Sequence, residues 1–304
     1  MDFNLKRFEK ICNIKPTFDV YGVSQSSNLK SNSIAFALKI DEELISALAS
    51  IKHVIIFVPL ETSMLSDCYK DNLIIECINP RLNYIKVAKT SFDEPFLFED
   101  NHRLNYVHPS AKIGNSVKLS PFSYVGADCV IEDDCILFPG AIILDRVKIG
   151  KETRIGSGST IGGKGYGFER DNGKVREAIS FGGNPYRMPH FGGVIIGDNC
   201  EIGANTTVCA GAIEPTILED FVMVDDHVHI AHNCKIRRGA AVVACAEVSG
   251  SVEVGEEAWI SPNATVMQKV SIGARSVIGL GAVVLKSTPP ESIIIGNPGK
   301  QLNK

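Results

Sequence analysis

Residues 218–284 decide the fold: LEDFVMVDDHVHIAHNCKIRRGAAVVACAEVSGSVEVGEEAWISPNATVMQKVSIGARSVIGLGAVV. Every sixth residue from Leu218 to Val284 is aliphatic, at twelve consecutive positions. The same spacing covers ten positions from Val107 to Ile161 and resumes at residues 196, 202 and 208. An α-helix repeats about every 3.6 residues and a strand every two, so neither produces this period. A chain that turns a corner every six residues and closes a triangular coil every 18 does produce it.

The residue two places before each aliphatic position is small or β-branched. Cysteine fills this position at Cys129, Cys135, Cys200 and Cys234. Since alternate residues of a strand share a face, both residues of each pair point inward, and we expect the thiols to act as small hydrophobes. Glycine often follows the aliphatic residue, where we expect it to supply unusual backbone angles at a corner. The 25 aliphatic positions predict a mainly β, parallel solenoid of about eight coils.

This pattern resembles the hexapeptide-repeat acyltransferases, and the resemblance implies a left-handed parallel β-helix. We place the β-helix domain at residues 105–288, with a loop excursion at 162–193, and a carboxy-terminal tail at 289–304. Residues 1–104 lack the repeat and predict a small α/β domain. Within it we expect a helix at 42–50 and strands at 53–60 and 73–78.

Composition excludes several classes of protein. A net charge of -4 over 304 residues gives no field to hold a polyanion, so we expect no nucleic-acid partner. The longest apolar stretch, Val54 to Leu60, is far short of the roughly 20 residues of a spanning helix, and no signal peptide opens the chain. Nine cysteines without a C-x-x-C pair fit neither a disulfide framework nor a zinc knuckle. These features predict a cytoplasmic protein.

Three segments resemble the UDP-3-O-acylglucosamine N-acyltransferases of lipid A synthesis. They are YGVSQSSNLKSNSIAFAL (21–38), NPRLNYIKVAKTSF (79–92) and YVHPSAKIG (106–114). The resemblance implies a uridine-binding amino-terminal domain in which Phe36 contacts the nucleotide; a buried core position is the equal alternative for this residue. The excursion contains GYGF and MPHFGG, which resemble the family's loop and imply that Tyr166, Phe168 and His190 contact substrate.

The densest ionisable cluster lies at residues 225–233, DDHVHIAHN. Its I-A-H-N matches the family motif that carries the general base, which implies that role for His232. Gly250, 18 residues later, matches the position whose backbone N–H stabilises the oxyanion. An amine attacking a thioester must lose a proton, and an imidazole, whose unperturbed pKa is about 6.5, accepts it at neutral pH. The thioester supplies the driving force, so we expect neither a metal nor a bound cofactor.

Other residues of the cluster and the following coils are assigned supporting or binding roles, some of them with an alternative. Asp225 and Asn233 are expected to support His232, with a solvated carboxylate as the alternative for Asp225. His229 is expected to contact substrate or a neighbouring subunit, with a structural role as the alternative, and the spacing of His227, His229 and His232 could also indicate a metal site. Lys269 replaces a second family histidine and is assigned to substrate binding. An outward imidazole needs a facing surface, which the family obtains by forming a homotrimer.

The donor and sugar remain open. The family's D-R-G is Cys209-Ala210-Gly211 here, and KSTPPESIIIGNPGKQLNK (286–304) resembles coenzyme A-dependent sugar acetyltransferases. Our first hypothesis is an N-acyltransferase that moves an acyl group from acyl carrier protein or coenzyme A to a nucleotide-linked amino sugar, in lipid A or surface-polysaccharide synthesis. An acetyl-CoA-dependent sugar acetyltransferase of O-antigen or capsule synthesis is the second, and a non-catalytic β-helix scaffold is the third.

Overall fold

The computed structural model describes residues 3–60, 71–91, 104–171 and 182–302. The chain divides into two compact units, Met1–Leu97 and Phe98–Lys304. No helix within the described ranges is both long and apolar enough to cross a membrane.

The first unit is a small parallel sheet with three helices. The helices are α1 (Leu5–Cys12), α2 (Glu42–Ser50) and α3 (Pro80–Ser91), and the strands are β1 (Gly22–Val23), β2 (Ser33–Phe36), β3 (Val54–Val58) and β4 (Leu73–Glu76). The strands are all parallel and lie in the order β1-β2-β3-β4. The expected helix at 42–50 is therefore confirmed as α2, and the two expected strands are confirmed as β3 and β4.

Strand β3 is buried along its whole length because both faces of the sheet are covered. Val54 and Ile56 pack in one apolar cluster with Leu48 of α2. Ile55 and Phe57, on the opposite face, pack in a second cluster with residues of α1 and α3. A strand buried on both faces reads as a continuous apolar run, as the sequence VIIFV does.

The second unit is built almost entirely of short strands. They are β5 (Tyr106–Val107), β6 (Lys112–Ile113), β7 (Lys118–Leu119), β8 (Tyr124–Val125), β9 (Val130–Ile131), β10 (Ile136–Leu137), β11 (Ile142–Ile143), β12 (Val147–Ile149), β13 (Arg154–Ile155), β14 (Thr160–Lys164), β15 (Phe168–Arg170), β16 (Pro185–Arg187), β17 (Val194–Ile196), β18 (Glu201–Ile202), β19 (Thr207–Ala210), β20 (Thr216–Leu218), β21 (Met223–Val224), β22 (His229–Ile230), β23 (Lys235–Ile236), β24 (Ala241–Val242), β25 (Glu247–Val248), β26 (Glu253–Val254), β27 (Trp259–Ile260), β28 (Thr265–Val266), β29 (Ser271–Ile272), β30 (Val277–Ile278), β31 (Val283–Val284), β32 (Ile293–Ile295) and β33 (Lys300–Leu302).

These strands form three sheets of ten, nine and eight strands, with β15 and β16 as a separate antiparallel pair. Each regular strand pairs in parallel with the strand one coil later, so Ile230 lies beside Val248 and Val248 beside Val266. Strand β32 extends the ten-stranded sheet beyond β30, and β33 folds back against it. The predicted fold class, a left-handed parallel β-helix of hexapeptide repeats, is confirmed.

The interior follows the six-residue repeat. All the aliphatic repeat positions from Val125 to Val284 are buried, at most 3% exposed. The three earliest positions, Val107, Ile113 and Leu119, lie at the amino-terminal end of the stack and are less covered. One continuous apolar core therefore runs along the axis of the solenoid.

The small side chains at the inward position also donate hydrogen bonds. The Cys135 thiol donates to the Gly150 carbonyl at 3.0 Å, and the Ser159 hydroxyl donates to the Gly203 carbonyl at 2.6 Å. Both carbonyls belong to corners of the next coil, where a buried acceptor without a partner would be costly. Burial raises the pKa of the Cys135 thiol to about 11, which keeps it a neutral donor. The buried cysteines thus act as hydrogen-bond donors as well as small apolar groups.

The expectation that the glycine after each aliphatic residue needs unusual backbone angles is wrong, except at Gly162, where φ is +90°. Positive φ instead recurs two residues further on, as at Asp128, Asn205 and Asn233. The glycines are needed because neighbouring coils lie so close. A Cβ on Gly203 would lie 2.5 Å from the Asp226 Oδ1 atom of the next coil.

This close approach predicts the effect of a single methyl group. Gly203→Ala must push two coils apart and should destabilise the solenoid by about 1–3 kcal/mol. Gly163→Ala is the matched control, because its new Cβ would meet nothing nearer than 3.7 Å. Chemical unfolding followed by far-ultraviolet circular dichroism measures both variants. Equal unfolding midpoints for the two alanines would contradict the proposed role of coil spacing.

Candidate active site

The loop excursion is joined to the four-residue slip in the repeat near Glu214. Phe191 N–H donates to the Ala212 carbonyl at 2.9 Å, and Gly192 N–H donates to the Gly211 carbonyl at 3.0 Å. Thr216 N–H then donates to the Gly193 carbonyl at 3.3 Å. The two departures from the regular repeat therefore support each other at one level of the solenoid.

Asn233 connects this level to the corner after β22. Its Nδ2 group donates to the Glu214 carbonyl at 3.0 Å, and its Oδ1 atom accepts from the Ala212 N–H at 3.1 Å. Its own N–H donates to the Thr216 hydroxyl at 2.8 Å. A backbone donor and a backbone acceptor thus determine which end of the side-chain amide is oxygen. The residue occupies a left-handed conformation, φ 60°, that asparagine tolerates well.

The orientation of the Asn233 amide sets the tautomer of His232. The Asn233 Oδ1 atom lies 3.1 Å from the His232 Nδ1 atom. An amide oxygen only accepts hydrogen bonds, so Nδ1 of the neutral ring carries the proton and Nε2 presents a lone pair. The arrangement therefore holds His232 in the form a general base requires.

Gly250 lies directly beside this lone pair. A Cβ built on Gly250 would be 2.8 Å from both the Nε2 and the Cε1 atoms of His232, so only glycine leaves room for the ring. Throughout the described part of the chain, the Gly250 N–H finds no hydrogen-bond acceptor. The Ser249 carbonyl belongs to the same peptide group as the Gly250 N–H. The Cys234 thiol, in the solenoid interior, donates to this carbonyl at 3.2 Å and so fixes the peptide. His232 therefore lies against a residue, Gly250, whose N–H has no acceptor and whose peptide group is fixed.

The loop excursion packs against the His232 imidazole. Gly165 is buried, and a Cβ there would lie 3.0 Å from His232 Cδ2 and 2.8 Å from His190 Nε2. The rings of His190 and His232 meet edge to face, with centroids 5.5 Å apart and planes at 67°. His232 is consequently half-buried. Sequence reasoning assigned the surface facing this imidazole to another subunit, whereas the chain's own loop supplies part of it.

Tyr166 and Phe168 lie where the loop excursion enters its hairpin of β15 and β16. Tyr166 is 82% exposed and meets Phe168 in an edge-on contact, with ring centroids 5.7 Å apart. The Arg187 guanidinium lies 5.8 Å from the Tyr166 ring centroid and donates to the carbonyls of Lys164 and Gly165. The loop thus offers an aromatic and cationic surface beside buried His190 and half-buried His232.

The remaining candidates have separate positions. The Asp225 carboxylate accepts from the N–H groups of Ala244 and Asp226, at 3.2 and 2.8 Å, which makes it a corner support. His229 is half-buried in β22 beside Glu247 of β25. Lys269 is exposed at the corner one coil beyond Gly250, and its N–H donates to the Gly250 carbonyl at 2.9 Å.

The spacing of His227, His229 and His232 does not produce a cluster of ligands. His227 is exposed at a corner with φ 57°, His229 lies within the following strand, and His232 lies at the next corner. Among the residues that the structure describes, no three His, Cys, Asp or Glu side chains come together as a metal site would require.

Phe36 lines a cavity of about 710 Å³ in the amino-terminal unit. Tyr84 of α3 lies against it, with ring centroids 5.1 Å apart and planes at 44°. Burial raises the pKa of the Tyr84 phenol, so it stays a neutral hydrogen-bond donor. The wall also carries the polar segment Ser24–Asn28 and the charged Lys30, Lys39, Asp41 and Glu43. An aromatic pair within a polar rim suits a planar base with a charged extension.

Sequence reasoning missed Gly165, Cys234 and Tyr84 as parts of these two sites. The G-Y-G of the loop was a signal for Gly165, since repeated glycine in a loop often marks close backbone approach. Nothing in the sequence pairs Tyr84 with Phe36, because their contact depends on the packing of α3 against β2.

The comparisons with known proteins agree with this fold. Residues 128–163 match the family described as bacterial transferase hexapeptide (six repeats). A UDP-3-O-acylglucosamine N-acyltransferase of Coxiella burnetii is 29% identical over 269 residues, which cover 81% of this chain and 74% of the relative. A protein of the same name from Xanthomonas axonopodis pv. citri is 44% identical over 103 residues, covering 34% and 28% of the two chains.

A solved structure is similar as well. It is LpxA, a UDP-N-acetylglucosamine acyltransferase from Bacteroides fragilis, with a TM-score of 0.56 and 28% identity, covering 66% of this chain and 73% of that one. The resemblance predicted from the sequence is therefore confirmed: the chain is similar to hexapeptide-repeat acyltransferases, and to proteins named UDP-3-O-acylglucosamine N-acyltransferase among them.

Proposed function

We propose that the chain is an N-acyltransferase that moves an acyl group from a thioester to the amine of a nucleotide-linked amino sugar. The observation that carries the proposal is that Gly250 lies against the Nε2 edge of His232. His232 Nε2 has a lone pair because Asn233 fixes the proton on Nδ1, and the Gly250 N–H has no acceptor in the described chain. The names of the similar proteins from Coxiella and Xanthomonas support the same reaction class.

The reaction follows from these two groups. The sugar amine attacks the thioester carbonyl carbon and forms a C–N bond, while His232 Nε2 takes the proton that the nitrogen loses. The carbonyl oxygen becomes an oxyanion, to which the Gly250 N–H donates. When the tetrahedral intermediate collapses, the C–S bond breaks and the leaving sulfur takes the proton from the His232 imidazolium. The products are an amide and a free thiol, and His232 returns to its neutral form.

The amino-terminal unit would recognise the nucleotide part of the acceptor. We assign residues 1–104 to this role, residues 105–288 to acyl transfer and residues 289–304 to a tail. The cavity at Phe36 and Tyr84 has the aromatic surface that a pyrimidine requires, and Lys30 on its wall suits a diphosphate. Tyr166, Phe168, His229 and Lys269 are proposed to contact the sugar or the donor.

The donor is acyl carrier protein or coenzyme A, and the thioester is a co-substrate rather than a bound cofactor. We propose that the protein acts in the cytoplasm as a homotrimer, in lipid A or surface-polysaccharide synthesis. A second candidate, an acetyl-CoA-dependent sugar acetyltransferase, is favoured by the end of the chain. Strand β32, within the segment that resembles those enzymes, continues the regular solenoid after β30.

The choice of donor is tested with purified protein. Acetyl-CoA and 3-hydroxyacyl carrier protein are each incubated with UDP- and dTDP-amino sugars, and free thiol and amide are measured. The proposal predicts amide formation only with sugars that carry a free amine. Transfer to a hydroxyl of an N-acetylated sugar would instead support the second candidate, and no transfer from any donor would support a non-catalytic scaffold.

The base is tested at His232. His232→Ala removes the proton acceptor and should lower kcat about 10²–10⁴-fold without changing the unfolding midpoint. His227→Asn is the control, because it replaces an exposed corner histidine by a residue that tolerates the same positive φ. Steady-state assay of the productive substrate pair measures both. Activity of His232→Ala near that of the wild type would rule out the assigned base.

The contact between His232 and Gly250 gives a second test. Gly250→Ala keeps the backbone N–H but places a methyl group where the imidazole now lies, so the ring must turn away. Displacement of a reacting group by about 1 Å costs on the order of 10²-fold in rate. We expect such a loss in kcat with a KM that changes less, whereas Gly163→Ala should retain wild-type kinetics. An active Gly250→Ala enzyme would contradict the close pairing.

A further inference from the structure

His190 is a buried histidine whose chemistry the proposed reaction does not use. It is 3% exposed and lies just before the residues that join the excursion to the slip, Phe191–Gly193. The Phe191 carbonyl also accepts from the Arg146 side chain at 3.1 Å. The segment that carries His190 is therefore fixed to the solenoid from two sides.

The hydrogen bond of His190 keeps its ring in one form. The Nδ1 atom lies 3.0 Å from the Met188 carbonyl oxygen, which only accepts, so Nδ1 carries the proton. Burial lowers the pKa of His190, and the neighbouring His232, Arg187 and Lys164 lower it further. The ring is therefore uncharged at neutral pH, since its pKa is lowered from the ordinary histidine value.

The neutral ring closes one side of the space around His232. His190 meets the His232 ring edge to face, and Gly165 fills the gap near the Cδ2 edge of His232. Gly250 lies at the Nε2–Cε1 edge of the same ring. The His232 imidazole is therefore confined between the loop and the next coil.

The confinement of the His232 imidazole bears on the position of its Nε2 atom. The single hydrogen bond to Asn233 fixes the Nδ1 end of His232 but leaves the ring free to tilt about that contact. A rigid neighbour on the loop side prevents the tilt and keeps Nε2 beside the Gly250 N–H. Because His190 is uncharged, it does this without opposing the positive charge that His232 gains during the reaction.

We propose that His190 is a positioning residue: its ring holds the His232 imidazole in line with Gly250 during acyl transfer. This inference rests on the proposed function, in which His232 is the base. It changes the role of His190 from the substrate contact expected from the sequence to a support for the base.

Three substitutions test the proposal. His190→Ala removes the ring and should lower kcat about 10-fold to 10²-fold, with KM values for both substrates within about twofold of the wild type. His190→Phe restores a ring of similar shape without a titratable group and should recover most of the lost kcat. His227→Asn again serves as the control. Equal losses in His190→Ala and His190→Phe, or a rise in KM with unchanged kcat, would overturn the positioning role.

A second measurement does not depend on turnover. In protein labelled with ¹⁵N-histidine, the line widths of the His232 ring signals report whether the imidazole keeps one orientation. The wild type and His190→Phe should show one sharp set of His232 ring signals, and His190→Ala should show signals broadened by exchange between ring orientations. Equally sharp and unshifted His232 signals in His190→Ala would refute the proposal. If the wild type shows one sharp set and His190→Ala the broadening, but the wild type transfers no acyl group, the proposed function fails while the support of His232 by His190 stands.

Discussion

The structure depends on one packing constraint, the filling of a narrow triangular interior at every sixth residue. A large aliphatic and a small side chain enter from each strand, and every coil must match the next in register. Corner residues with positive φ, of many side-chain types, close the turns, and glycines let adjacent coils approach within the reach of a Cβ. Because this constraint fixes the register over many coils, a residue at one corner lies over the residue 18 positions later, as His232 does over Gly250.

The repeat could be recognised from the sequence because its signal is local and periodic. The parallel solenoid, the inward residues and the position of Gly250 one coil after His232 follow from counting in sixes along the chain. The left-handedness of the coil and the roles of these two residues were implied by the family resemblance. The role of the glycines could not be obtained in this way, because both a positive φ and a tight approach select glycine, and only the spacing of the coils separates them. The contacts of His190, Gly165 and Tyr84 were also beyond sequence reasoning, since they depend on the path of a loop and the packing of a helix. Neither of these is periodic.

The candidate site forms where the regular repeat is interrupted. A continuous solenoid places polar corner residues in water, where an imidazole rotates freely. The excursion and the slip at Glu214 bring backbone donors and acceptors to Asn233, and Asn233 in turn selects the tautomer of His232. The buried Cys234 thiol bonds to the carbonyl of the peptide whose N–H belongs to Gly250. The regular coils therefore determine how closely His232 approaches Gly250, and the irregular segments determine the orientation of the His232 imidazole.

The central claim is that His232 Nε2 receives the proton of a sugar amine, and a crystal structure with a bound nucleotide-linked amino sugar tests it most directly. We expect electron density for the amine nitrogen within about 3 Å of His232 Nε2. Density that places the amine away from this imidazole would contradict the claim.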